Sequence, residues 1–199
     1  RVHPLTQKGR GLVRGITGFG SDETLRIAQM LGFTCTRVFW GWKGVEPTRG
    51  EYHLDATAKN LKRARRYGLE PWLCIQAPPN WAMVGAAKDV HFSGFRCDLE
   101  AWEQTITHMT KTFKGDLYGW EWLNEIVPGG AATAVEDYVN LCRIGTAAAK
   151  RVDPEIVTMM AGGLWPRSFR NQLLAAGLGT HVDVLPVHYS NGGAVLDDD

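Results

Sequence analysis

Apolar residues along this chain come in two alternating textures. Short runs dense in Val, Ile, Leu, Phe and Trp read as buried strands: GLVRGI (11–16), TCTRVFW (34–40), LEPWLCIQ (69–76), LYGWEWLN (117–124), IVTMMAG (156–162) and VDVLPVHY (182–189). Between them lie stretches with helical spacing and recognisable punctuation. Ser21-Asp22-Glu23 opens a helix that runs to Leu31 and stops at Gly32. A second runs from about Leu54 to Tyr67 and ends at Gly68. Asp98 caps a third, which ends near Lys111, ahead of Gly115. A fourth spans Val135 to Val152 and stops before Pro154, and a short fifth covers Phe169–Ala176 ahead of the Gly177/Gly179 turn. The segment GWKGVEPTRGEYH (41–53) and the Pro-, Trp- and Gly-rich stretch from Pro78 to Cys97 read as loops.

Strand and helix therefore alternate roughly every 30 residues, the rhythm of a parallel sheet covered by helices. A doubly wound open sheet places a glycine-rich phosphate loop after its first strand. GITGFGSDE (15–23) has its glycines in the wrong order for that. Polar and aromatic residues instead recur at the C-terminal ends of several strands: Arg37 to Trp42, Gln76 to Trp81, Asn124-Glu125, Gly162 to Trp165 and His188-Tyr189. That distribution belongs to a (β/α)8 barrel with a site at one mouth. A full barrel takes about 250 residues, and only six strands are readable. The expectation is a single α/β barrel domain over residues 1–199 with about six βα units, the remaining barrel units coming from the rest of a parent protein.

Composition narrows the function classes. The 199 residues carry a net charge of +1 with 44% hydrophobic and 22% charged residues, which gives no electrostatic case for nucleic acid or a membrane surface. The basic run KNLKRARR (59–66) falls on a helix whose other face holds Leu54, Ala58, Leu61 and Ala64, so it reads as a solvated face. No apolar run reaches the roughly 18 residues of a membrane span. RVHPLTQKGRG (1–11) has no signal-peptide core, which means little if the chain begins inside a longer precursor. The four Cys form no CxxC pair and the six His no HxH or HExxH spacing, so buried thiols and no metal site are expected. Eight Trp is a high count, and flat apolar faces in a concave site suit the faces of sugar rings.

Three stretches, with support from a fourth, carry a family likeness. TRVFWGW (36–42) puts an Arg on the second strand and is followed by VEPTRGEYHLD (45–55). WLCIQAPPNWA (72–82) ends the third strand in Pro and Trp. WEWLNE (120–125) closes the fourth on Asn-Glu, and VDVLPVHYS (182–190) brings a His and an aromatic to the sixth. In this order the chain resembles the clan A glycoside hydrolases, retaining (β/α)8-barrel enzymes, with a texture nearest families 39, 42 and 5. The resemblance implies a retaining β-glycoside hydrolase acting on a β-linked oligo- or polysaccharide. Such enzymes use two carboxyl groups about 5–5.5 Å apart, one protonating the leaving oxygen and one attacking the anomeric carbon. It implies Glu125 as the acid/base and Asn124 on the sugar 2-hydroxyl. It further implies Arg37 beside the nucleophile, and His188, Tyr189, Trp81, Trp42 and Trp165 as substrate-binding residues. No cofactor is implied, because two carboxyl groups suffice.

The family nucleophile is a Glu on the seventh strand, and no residue here matches it. Glu46 belongs to a turn in the EP loop, and Glu121 lies inside a strand where an ion pair with a barrel Arg is expected. In the long third loop, His91 and Arg96 are further candidates to reach a substrate. Trp40, Trp120 and Trp122 are expected to pack. Two other readings stay open: a non-catalytic carbohydrate-binding barrel, and another barrel enzyme with a catalytic Lys or a phosphate site, which the aromatic content disfavours.

Overall fold

Each of the first five apolar runs becomes a strand of one parallel sheet. The computed structural model describes residues 14–84, 96–126, 134–162 and 167–186. The strands are β1 (Gly15–Thr17), β2 (Cys35–Gly41), β3 (Glu70–Gln76), β4 (Gly119–Trp122) and β5 (Val157–Met160). Their spatial order is β1-β2-β3-β4-β5, so every strand neighbours its successor in sequence. A doubly wound sheet would reverse direction at a switch point. The unbroken order is that of a barrel wall, and the chain is a partial (β/α)8 barrel. The start of the sixth run joins at one parallel bridge, Met159 to Val184, and residues 187–189 lie outside the described residues.

The intervening helices are α1 (Asp22–Met30), α2 (Trp42–Val45), α3 (Asp55–Arg66), α4 (Leu99–Thr112), α5 (Val135–Val152) and α6 (Arg167–Ala175). Local chemistry sets their ends. The Ser21 hydroxyl accepts the Thr24 N–H at 3.2 Å, and Asp98 Oδ1 accepts those of Glu100 and Ala101 at 2.9 and 3.2 Å. Gly32, with φ 75°, supplies the left-handed turn after α1. In α3, Lys59, Lys62 and Arg66 stay exposed while Leu54, Leu61 and Ala64 are buried. The basic run is a solvated face.

Strand parity divides the sheet into two unlike faces. Val38, Trp40, Leu73, Ile75, Trp120, Trp122 and Met160 point to the helices and form the main core. Three of these tryptophans hand their indole N–H to a buried threonine on a covering helix: Trp40 to Thr57 at 2.9 Å, Trp120 to Thr110 at 3.0 Å and Trp122 to Thr146 at 3.0 Å. Each large apolar ring is thereby buried without an orphaned donor. Trp102 of α4 crosses to α5 and donates to the Leu141 carbonyl at 3.0 Å. It fits because Gly145 has no side chain: a Cβ there would sit 2.8 Å from the indole nitrogen. The other face carries Arg37, Phe39, Trp72, Cys74 and Glu121, which share register across β2, β3 and β4. This is the face that points into a barrel.

Candidate active site

Arg37, on the inner face of β2, is the centre of the site. Its Nε and Nη2 donate to the two carboxylate oxygens of Glu121 at 2.6 and 2.7 Å, a bidentate pair spanning two strands. Glu121 is fully buried, whereas 24% of the Arg37 side chain remains accessible. Burial works against the guanidinium charge, but the bonds and charge of Glu121 outweigh it and raise the Arg37 pKa above its ordinary value. Arg37 is permanently cationic. Its Nη2 also donates to Asn124 Oδ1 at 2.8 Å, and the charge of Glu125 adds to the field on the same group. Arg37, Asn124 and Glu125 are therefore brought together, with the Phe39 ring 4.5 Å from the guanidinium carbon.

The backbone around these residues is strained. Among the described residues, the non-glycine residues with positive φ are Ala77 (51°), Leu123 (67°) and Glu125 (42°), at the C-terminal ends of β3 and β4. β4 was read as extending to Asn124 but ends at Trp122, because the Leu123 conformation turns the chain out of the sheet. Glu125 is thereby delivered to an exposed position, while Asn124 stays half-buried against Arg37.

Glu46 is a buried hub. Its carboxylate accepts from Trp42 Nε1 at 2.7 Å, Thr105 Oγ1 at 2.6 Å and the Gly50 N–H at 2.9 Å. Its main-chain carbonyl accepts the indole N–H of Trp81 at 3.1 Å. The EP loop is thus tied to α4 and to the turn after β3. Trp81 remains half-buried, edge-on to Trp42 at 5.7 Å, with the Arg49 guanidinium 6.0 Å over its ring.

The expectation for Trp42 does not hold. The residue opens the short helix α2 inside what reads as a loop, and its ring is completely buried between Trp81 and Trp102. It has no face left for a sugar. The high tryptophan count is itself mostly a core property: of the seven described tryptophans, six are 6% exposed or less, and Trp81 alone keeps appreciable surface. Arg96 pairs with Asp137 of α5 at 3.1 Å. His188, Tyr189, Trp165 and His91 lie outside the described residues. All four cysteines are free, and burial pushes the thiols of Cys74, Cys97 and Cys142 well up. Among the described residues no cluster of His, Cys, Asp or Glu fits a metal ion, and no helix is long and apolar enough to cross a membrane.

Sequence reading missed Tyr138. It stands in the first turn of α5 with its ring buried, and its hydroxyl touches the ends of both β4 and β5. As one apolar position of an amphipathic helix it gives no separate signal.

No family model matches the chain, and no curated protein matches it. Solved structures do. A family 39 glycoside hydrolase from the gut symbiont Bacteroides cellulosilyticus WH2 aligns with a TM-score of 0.67 at 21% identity, covering 90% of this chain and 38% of its own. The exo-beta-1,4-mannosidase Op5Man5 from Opitutaceae bacterium strain TAV5 aligns at 0.67 and 20%, covering 89% and 38%. Pseudomonas stutzeri endoglucanase Cel5A aligns at 0.58 and 16%, covering 76% and 52%. The chain thus spans between about a third and a half of these neighbours' lengths. At such identities the likeness establishes the fold.

Proposed function

We propose that this chain is the larger part of the barrel of a retaining β-glycoside hydrolase that cleaves a β-linked oligo- or polysaccharide. The observation that carries the reading is the Arg37–Asn124–Glu125 group. An exposed carboxyl follows an asparagine pinned by a guanidinium, at the mouth-side end of β4. In this reading Glu125 protonates the departing oxygen and then, as a base, activates the water that releases a covalent glycosyl-enzyme. Asn124, fixed by Arg37, turns its amide N–H toward the 2-hydroxyl of the sugar. Glu121 is the structural partner of Arg37: both its oxygens are engaged and it is wholly buried. Glu46 is likewise occupied, so neither serves as nucleophile. That role falls to a Glu on a seventh strand, supplied by the remaining barrel units of the parent protein. Exposed Phe39 on the inner face, exposed Ile27 and Met30 on α1, and Leu31 just after it are the surfaces those units would cover.

The fold neighbours support this choice of chemistry by their names, an exo-beta-1,4-mannosidase and an endoglucanase among them. The test is Glu125→Gln in the full-length protein. Hydrolysis of glycosides with poor leaving groups should fall about 10²–10⁴-fold, the size of a general-acid contribution. Activated aryl glycosides, which need no proton, should still form the glycosyl-enzyme. Equal slowing of glycosyl-enzyme formation on both classes counts against Glu125 as the acid. A full-length protein that binds glycans and hydrolyses none is a carbohydrate-binding barrel instead.

A further inference from the structure

The β4–β5 ladder breaks at one identifiable bond. The Val157 N–H donates to the Tyr118 carbonyl at 3.2 Å, which sets the phase of this parallel pair. With Trp122 in register with Met160, carrying that alternation forward four residues on each strand pairs the Ala161 N–H with the Trp122 carbonyl. That bond is replaced. The hydroxyl of Tyr138 stands between the two groups, accepting the Ala161 N–H at 2.6 Å and donating to the Trp122 carbonyl at 2.7 Å. On its other edge β4 keeps hold of β3, since the Leu123 N–H donates to the Ile75 carbonyl at 3.1 Å.

The end of β4 is therefore wedged away from β5 and gripped by β3. Its next residues are directed toward β2, where Arg37 receives Asn124. Leu123 and Glu125, both at positive φ, lie in this stretch, and such backbone persists only where its surroundings over-determine it. The Tyr138 ring is 1% exposed and packed in the main core, so the wedge is rigid.

We infer that Tyr138 is a positioning residue for Asn124 and Glu125, its hydroxyl holding the β4–β5 ladder open so that the 123–125 backbone aims both side chains into the barrel mouth. The geometric half stands on the hydrogen bonds alone. The catalytic half rests on the glycosidase reading above.

The experiment is Tyr138→Phe in the full-length protein, with two readouts. The first needs no activity: in ¹⁵N-labelled protein the Asn124 side-chain amide resonances should shift or broaden, while the Arg37 Nε–H, held by Glu121, stays in place. Unchanged Asn124 resonances overturn the inference. The second is kinetic. For a substrate with a poor leaving group kcat should fall about 100-fold, the penalty of misplacing a reacting group by about 1 Å, with KM within about threefold. For an activated aryl glycoside the pre-steady-state burst, which reports glycosyl-enzyme formation, should slow less than about fivefold, because that step needs no positioned acid. Equal loss on both substrates marks Tyr138 as merely structural and overturns the inference. If the unmodified protein hydrolyses no glycoside, the functional reading fails and the resonance readout alone decides on Tyr138. Should Tyr138→Phe not fold, 3,5-difluorotyrosine in place of Tyr138 keeps the ring and weakens the hydroxyl as an acceptor. The ratio of the two rates should then move in the same direction, and an unchanged ratio overturns the inference.

Discussion

Replacing Arg37 by Met tests the electrostatic centre of the site. The side chain is of similar length and stays on the inner face, but two bonds to Glu121, one to Asn124 and a weak one to the Cys74 sulfur disappear. Glu121 is left as a fully buried carboxylate without its cation. Breaking a buried pair from one side costs about 3–5 kcal/mol, because the remaining charge has lost both its water and its partner. The Cys74 thiol, which interacts with Glu121, is a weak donor, so the lower end, about 3 kcal/mol, applies. For a domain of this size that is a loss of about 6–12 °C in Tm. The decisive comparison is Arg37→Met with Glu121→Leu. Once both charges are gone, no carboxylate is stranded, and the double variant should recover to within about 1 kcal/mol of the unmodified protein. A urea-denaturation cycle over the four proteins should give a coupling of about 2–3 kcal/mol. A cost below about 1 kcal/mol for Arg37→Met, or strictly additive losses, would refute the argument.

Glu46→Ala should cost about 2–6 kcal/mol in urea melts, since the buried Trp42 indole and Thr105 hydroxyl lose their acceptor at about 1–3 kcal/mol each. Glu46→Gln can keep an oxygen at the Oε2 position, where both Trp42 and Thr105 donate, and loses only the Gly50 bond, so it should cost about 1–2 kcal/mol; equal stability of all three proteins would contradict the hub. Alkaline pH should destabilise the fold in a defined window. Burial, with the Glu70 charge, pushes the Cys35 thiol from 9.0 up to about 11, and burial, with the Glu46 charge, pushes the Tyr52 phenol from 10.0 up to about 12. Both raised values favour the neutral forms in the folded state. Their stabilisation is complete below pH 9 and is lost as pH rises through about 9–11 for Cys35 and about 10–12 for Tyr52. Urea midpoints flat from pH 8 to 11, or an identical decline in Cys35→Ala, would contradict the Cys35 part.

Local signals were readable where they governed. The α5 helix has the bounds its apolar stripe and Pro154 require, and α1 is capped by Ser21 and ends at Met30, one residue short of the expected Leu31. The Arg37–Glu121 pair was also within reach, because strand parity puts an Arg and a Glu on the inner face two strands apart. Trp42 misled because position after a strand suggests a mouth, whereas α2 turns its ring inward. Four residues, one of them Gly44, are too few to show a helical period. The role of Tyr138 depends on the phase between two strands that its helix connects, which no window of sequence contains. The same holds for the early end of β4: WEWL (120–123) has no breaker, and only the bonds made by β3, Tyr138 and Arg37 fix where the extended backbone stops.

Strain at the sheet ends makes sense against the division of labour between the two faces. Each non-glycine residue in the left-handed region costs about 1–3 kcal/mol, and there are three among the described residues. Set against a domain stability of about 5–15 kcal/mol, that is a large fraction. Glycine would relieve the backbone, but Leu123 and Glu125 carry side chains that have to be placed, and at Ala77 the turned main chain is itself used. Leu123 is 1% exposed and belongs to the main core, so glycine there would exchange strain for a cavity. Ala77 turns its carbonyl to the Lys43 N–H at 2.8 Å, fastening α2 and with it the Trp42–Glu46–Trp81 assembly. Glu125 has no packing reason to be strained, since its side chain is exposed. That it is held at φ 42° beside a fixed guanidinium argues that its direction matters more than the stability it forgoes, as the proton-donor role proposed for it requires.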